Sequence, residues 1–246
     1  MAIEQRYQKE AVKAALGLMG TDQLSLTKCI VTVSSGVDVR DWHAVVRELR
    51  AHFDPHEDFI MIPKVPLDTL DFTSYKMNLG SKMILDATRK PLRAPRPERP
   101  AIDVGRVRMI DSRVIDMYLV DETMLLVKVG GTLAEEPGSN GPTAGRQIVE
   151  KLVALPELSG LTMIACVSED VDIHDKESYI WGVFTRFDCE RDVVFTESSL
   201  RGISPVYRGV MGVDATWKPG YPKPLVMPEE IVRRVDEKWG AIWKND

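Results

Sequence analysis

The stretch Val31-Thr32-Val33-Ser34-Ser35-Gly36-Val37-Asp38-Val39-Arg40-Asp41-Trp42 decides the fold, because Cys166-Val167-Ser168-Glu169-Asp170-Val171-Asp172-Ile173-His174-Asp175 repeats its pattern. Each begins in an apolar run, Lys28 to Val33 in the first and Leu161 to Val167 in the second, which reads as a buried strand. A polar break follows, Ser34-Ser35-Gly36 or Ser168-Glu169-Asp170. Asp41 or Asp175 then stands where a helix N-cap belongs. Behind it, Trp42, Val45, Val46, Leu49 and Phe53 fall on one helical face, as do Ile180, Val183, Phe184 and Phe187.

The repeat extends outward in both directions. At an offset of 134 residues (171 − 37), Asp41 meets Asp175, Phe53 meets Phe187, Asp54 meets Asp188 and Asp58 meets Asp192. Further on, Asp86-Ala87-Thr88 meets Asp214-Ala215-Thr216 at an offset of 128 (214 − 86), so the second copy is shorter between these points. An ordered acidic framework plus a matching triplet marks an internal duplication. Asp38, Asp41, Asp54 and Asp58 suit turns and helix N-termini, where a carboxylate offsets the helix dipole; a catalytic carboxylate array is the competing reading.

The remaining elements follow from local pattern. Residues 7–19 are predicted helical from Ala11, Val12, Ala15, Leu16 and Met19. Phe59 to Ile62 and Val193 to Phe195 are predicted strands, each joined to its predecessor by one helix in a βαβ-type unit. The stretch from Leu67 through Gly80-Ser81-Lys82-Met83 to Asp86-Ala87-Thr88 reads as irregular. Val107 to Ile110, Val114 to Val120 and Met124 to Val129 are predicted strands, with no counterpart expected upstream of residue 7. Thr143 is placed as the cap of a helix carrying Ile148, Val149, Leu152 and Val153. Trp239 and Trp243 share a face with Val232 and Val235 on a C-terminal helix, packed on the body or on a partner. The fold class is α/β: two tandem three-layer units with a short strand-rich insert between them. The expected division is a first unit at 1–90, a linker at 91–105 holding Pro91, Pro95, Pro97 and Pro100, and the insert plus second unit at 106–246.

Composition narrows the function classes. The chain has 246 residues, 44% apolar and 28% charged, with net charge −5 and scattered basic residues. That is no footprint for nucleic acid. No apolar run approaches a membrane span, and no signal-peptide core follows Met1, so a cytoplasmic location is expected. Cys29, Cys166 and Cys189 lack metal-type spacing, and two of them sit in apolar runs. His52 and His56 stand at i, i+4 but have no third ligand in view. The loop Gly130 to Gly145 leads into a helix N-terminus without a phosphate-binding glycine pattern.

Taken together, these residues resemble the C-terminal domain of UbiD-type carboxylases and decarboxylases, once in each copy. The first copy carries the resemblance through Thr27 to Val33, Val37-Asp38-Val39-Arg40-Asp41-Trp42, Phe53-Asp54-Pro55-His56-Glu57-Asp58, Pro66 to Phe72 and Gly80 to Thr88. The second carries it through Val171-Asp172-Ile173, Thr185-Arg186-Phe187-Asp188, Glu190-Arg191-Asp192-Val193 and Gly212-Val213-Asp214-Ala215-Thr216. The resemblance implies decarboxylase chemistry on aromatic or α,β-unsaturated acids through prenylated FMN. No stretch matches the family's catalytic motifs, so no catalytic residue and no metal ligand is carried over. The resemblance implies one cofactor contact, Lys28 to the flavin phosphate, against the alternative of an edge lysine reaching solvent; Thr162 takes its place in copy two. It further implies that prenylated FMN is held mainly by a partner, a UbiD-type catalytic subunit in a hetero-oligomer. This chain would then serve assembly and active-site closure. The alternative is a stand-alone ligand-binding or degenerate protein with a ligand between the copies.

Overall fold

The computed structural model describes residues 1–74, 76–90, 102–105, 107–134, 142–222 and 225–242. Most of the proposed linker lies outside them. The first sheet contains β1 (Ala2–Ile3), β2 (Cys29–Ser34), β3 (Phe59–Pro66) and β4 (Leu79–Ala87), in the order β1-β2-β4-β3. Its helices are α1 (Glu10–Met19), α2 (Trp42–His52) and the one-turn α3 (Pro55–Asp58). The second sheet contains β5 (Val114–Val120), β6 (Met124–Val129), β7 (Met163–Ser168), β8 (Val193–Arg201) and β9 (Ser204–Ala215), in the order β5-β6-β7-β9-β8. Its helices are α4 (Ala144–Val153), α5 (Lys176–Phe184) and the one-turn α6 (Cys189–Asp192). A last helix, α7 (Glu229–Ile242), follows.

Strand register carries the duplication to single-residue accuracy. Cys29 pairs with Met83 in parallel, and Met163, offset by 134 (163 − 29), pairs with Met211, offset by 128 (211 − 83). Phe59 pairs with Leu85 in antiparallel fashion, and Val193 with Val213, at the same two offsets. The difference in length therefore lies between β8 and β9.

Four sequence expectations are corrected here. The stretch read as irregular contains β4, the strand between β2 and β3. Because β4 pairs with β2 in parallel and with β3 antiparallel, the first and second strands of the unit are not a parallel βαβ pair. Val107–Met109 is a short 3-10 turn, not a strand. Finally, β6 does have an upstream counterpart: β1 pairs with β2 in parallel as β6 pairs with β7. Among the described residues, only β5 lacks a mate in the first sheet. The helices lie close to their expected places, with Asp41, Asp175 and Thr143 each capping through the side chain as expected.

Each sheet is covered on both faces, and its inner strands are accordingly buried on both sides. In β4, Ile84 faces α1 with Ala15 and Met19, while Met83, Leu85 and Ala87 face the other way. In β7, Ile164 and Cys166 face α4 with Ile148, Val149 and Leu152, while Met163, Ala165 and Val167 face the other way. These opposite faces meet in one core. Val45, Val46 and Leu49 of α2 and Tyr179 and Val183 of α5 fill it, so the two copies share their largest apolar cluster. Trp42 packs edge-on to Phe184 and Phe59 edge-on to Phe195, carrying aromatic contacts across the boundary.

The apolar stripe of α7 stays largely exposed among the described residues. Val232, Val235, Trp239 and Ile242 are between 43% and 58% exposed, and none of the helix's described residues is buried. The expected packing of this helix on the body is corrected to that extent; Trp243 lies outside the described residues.

Candidate functional site

The shared spacing of the two copies resolves into an acid–lysine cage built twice. In copy one, Asp54 caps α3 by accepting from the His56 amide, and Asp58 folds back to accept from the Asp54 amide. Asp86, at the end of β4, accepts from the Thr32 hydroxyl and from the Thr88 amide. Lys90 then sits between them, its Nζ 3.4 Å from Asp58 and 3.4 Å from Asp86. Copy two repeats the arrangement. Asp188 accepts from the Glu190 and Arg191 amides, Asp192 accepts from the Asp188 amide, and Asp214 accepts from the Thr216 amide. Lys218 lies 3.5 Å from Asp192 and 3.6 Å from Asp214. The repeated word is thus Asp-Ala-Thr-x-Lys, 86–90 and 214–218.

These carboxylates hold the chain together. Each cage ties the C-terminal end of a central strand to a one-turn helix, and its lysine keeps the buried negative charge paired. Burial pushes the Asp192 carboxyl up from its ordinary value in spite of Lys218. The turn-and-cap reading of Asp38, Asp41, Asp54 and Asp58 fits this geometry, with Asp38 accepting from the Arg40 amide.

Lys28 occupies the junction between copies. Its ammonium donates to the Phe187 carbonyl at 2.8 Å and to Thr73 Oγ1 at 3.2 Å, pairs with Asp71 at 3.0 Å, and lies 5.1 Å from the Phe187 ring centre. Its side chain is 11% exposed. Beside it, Ser81 donates to Asp188 across the boundary at 3.0 Å. Sequence reasoning named Lys28 but missed Ser81, Lys90 and Lys218. The pentapeptide repeat is the signal that exposes both cage lysines.

The apolar core between the copies leaves little room for a ligand. Its void, lined by residues such as Cys29, Val31, Trp42 and Met163, measures about 20 Å³ and is apolar, little more than one water. Burial pushes the Cys29 thiol up to about 12 and those of Cys166 and Cys189 well above the ordinary thiol range. His52 pairs with Glu48 and His56 with Glu57, and no group of three metal-ligating side chains occurs among the described residues. At the start of α4, Thr143 bonds the buried carboxylate of Asp214, so that helix end already faces an anion; residues 135–141 of the preceding loop lie outside the described residues. None of the helices is long and apolar enough to cross a membrane among the described residues.

Comparison with known proteins bears on both copies. The profile of the 3-octaprenyl-4-hydroxybenzoate carboxy-lyase C-terminal domain matches residues 1–87 and 101–215. An uncharacterized protein of Chlamydia muridarum is 27% identical over 244 residues, spanning 96% of this chain and 38% of its own length. A 4-hydroxybenzoate decarboxylase subunit of Chlamydia pneumoniae is 24% identical over 245 residues, spanning 99% of this chain and 38% of its own length. The chain therefore spans well under half the length of these relatives. Among solved structures, the vanillic acid decarboxylase of Sedimentibacter hydroxybenzoicus in its closed form is similar over 43% of this chain and 23% of its own, at 25% identity and a TM-score of 0.37.

Proposed function

The chain belongs to the 3-octaprenyl-4-hydroxybenzoate carboxy-lyase C-terminal domain family, and from that premise we propose that it is the assembly and closure part of a UbiD-type decarboxylase or carboxylase acting on aromatic or α,β-unsaturated acids. One observation carries the proposal: the family's domain occurs as two copies welded through a shared core into a single block. A fused pair of this kind presents a pseudo-twofold surface from one chain, the geometry on which a symmetric partner can dock.

In this reading the flavin chemistry sits outside these residues. The group implied by the family, prenylated FMN, carries a phosphate, and the ammonium of Lys28, the one residue proposed to meet it, is committed to Asp71, Thr73 and the Phe187 carbonyl. A contact from Lys28 to the cofactor phosphate would exchange Asp71 for that anion, a step that a catalytic chain docking at the junction would have to drive. The catalytic chain is a UbiD-type subunit, and the assembly is a hetero-oligomer in the cytoplasm. Within it, residues 1–90 and 106–246 serve as the two structural units.

The test is co-expression with a UbiD-type catalytic chain, followed by purification and native mass spectrometry. A stable hetero-complex with the flavin on the partner is the expected outcome. The reading fails if this chain alone, supplied with prenylated FMN, turns over an aromatic acid at ordinary enzyme rates. It also fails if the chain runs as a clean homodimer that ignores the catalytic chain.

A further inference from the structure

The hairpin of β8 and β9 leaves the body after Phe195 and presents an open sheet edge. Every residue from Thr196 to Pro205 is exposed, and β8 is the terminal strand of its sheet. An edge of this kind can pair with another chain, and proteins blunt it with proline, lysine or a bulge. The equivalent edge of copy one is blunted in this way. There β3 carries Pro63, Lys64 at a φ of 59°, and Pro66, and its register shifts between Pro63 and Val65. At the offset of 134 (197 − 63) those three residues become Glu197, Ser198 and Leu200. β8 holds no proline and no lysine, and its own irregularity falls between Phe195 and Glu197, before the open stretch Glu197 to Arg201.

This stretch is complementary to itself. In an antiparallel pair about a twofold axis centred on Ser199, Glu197 of each copy stands opposite Arg201 of the other, and Ser198 opposite Leu200. Neither Glu197 nor Arg201 makes an ion pair among the described residues. Moving the centre to Ser198 or to Leu200 loses both charge pairs. The same register sets the two Leu200 side chains diagonally across the axis, within reach of each other; in the single chain Leu200 is 72% exposed. It also brings the turn at Gly202-Ile203 of each copy level with Thr196 and Phe195 of the other. A groove of about 290 Å³ opens there, lined also by Val193, Val194 and Tyr207. Ile203, 97% exposed in the single chain, is the side chain placed to enter it.

We propose that the β8 edge pairs with the β8 edge of a second copy of this chain, antiparallel and centred on Ser199. The dimer then carries a four-stranded ribbon, β9-β8-β8-β9, with cross-strand charge pairs on either side of the axis. The contact is small, so the association is reversible, at roughly micromolar concentration. The proposal does not rest on the subunit reading, because a catalytic chain can bind a paired or an unpaired copy; its failure leaves that reading untouched.

The experiment is sedimentation velocity of the full chain over a concentration series, where a monomer–dimer equilibrium is expected. Arg201→Glu and Glu197→Arg each set like charges opposite one another across the axis, and each should weaken the dimer about tenfold or more. Mixing the two variants in equal amounts should restore it, because every cross-strand pair is again opposite in charge. The double variant carrying both changes should dimerise as well. A cross-link tests the same register without altering charge. Ser199→Cys places two Cα atoms about 4.5–5.5 Å apart, within disulfide reach, and should give a covalent dimer on mild oxidation. Ser204→Cys, on the far strand of the hairpin, should not. A chain that stays monomeric throughout, a dimer indifferent to the charge reversals or not rescued by mixing, or equal cross-linking through position 204 overturns the proposal.

Discussion

Lys218 and Arg186 show what single side chains do in this protein. Lys218 faces two buried carboxylates, Asp192 and Asp214, and also donates to the carbonyls of Arg186, Asp214 and Thr216. Lys218→Met removes the cation and leaves the carboxylates behind. Losing one partner of a buried charge set costs about 3–5 kcal/mol, so urea unfolding of this variant is expected to show a loss of that order; a change below about 1 kcal/mol would show that solvent screens the cage. Arg186 is 1% exposed, makes two bonds of 2.7 Å to Asp170, and lies 4.9 Å and 5.8 Å from the ring centres of Trp181 and Trp217. Burial alone would raise the Asp170 carboxyl, but the bonds and charge of Arg186 outweigh it and leave the group below its ordinary 3.8. A depressed carboxylate stabilises the fold above its unfolded value, and that contribution disappears as pH falls through the folded one. The chain is therefore expected to lose stability below about pH 4, and Arg186→Met to flatten that acid limb when unfolding is followed by circular dichroism. The three thiols, all raised by burial, should react with a disulfide reagent at about pH 8 only as fast as the chain opens. Prompt titration of one thiol in the native protein would contradict this. The caps at Asp41 and Asp175 were legible in the sequence because cap chemistry is local. Arg186 was not, because Asp170 and two tryptophans define its role and only the fold brings them together.

At the scale of elements, the helices declared themselves and the central strands did not. Asp41 accepts from the Ala44 amide at 3.2 Å and Asp175 from the Ser178 amide at 2.7 Å, so Asp→Ala at either position should cost about 1 kcal/mol in thermal or urea unfolding. Equal losses at the two positions would mean that the copies are energetically as well as geometrically alike. The strand β4 escaped notice because Ser81, Lys82 and Asp86 interrupt its apolar pattern. All three are buried, and each bonds a distant group: Ser81 bonds Asp188, Lys82 the carbonyls of Ser25 and Thr27, and one oxygen of Asp86 the Thr32 hydroxyl. A local pattern rule cannot foresee those partners, since an isolated reading counts each as an unpaired polar group in a core. The opposite case is α7. Its apolar stripe was plain in the sequence, yet none of its described residues is buried. Deleting residues after Pro228 is expected to leave the unfolding free energy within about 0.5 kcal/mol of the full chain. A larger loss would mean that the helix is bound to the body in solution.

At the scale of the whole molecule, the duplication was visible in sequence, but the way the copies meet was not. Offsets of 134 and 128 align the copies without saying which face of each sheet turns inward. The faces are settled by what each helix covers: α1 and α4 close the outer sides, and the faces left over, with α2 and α5, have only each other. The consequence is testable. A chain cut in the proline-rich segment gives two pieces, residues 1–98 and 99–246, each exposing half of one core. Burial of apolar surface is worth about 25 cal/mol for each Å², so neither piece should stay monomeric with that face in water. Made separately, each is expected to aggregate or self-associate, the first piece by packing Phe53, Met83 and Leu85 against the same residues of a second molecule. Mixed during refolding, the two should give a one-to-one complex with a single cooperative unfolding transition, measured by analytical ultracentrifugation and calorimetry. Two soluble monomers that unfold independently would show that the shared cluster contributes little, and that the chain is two domains in contact rather than one folded block.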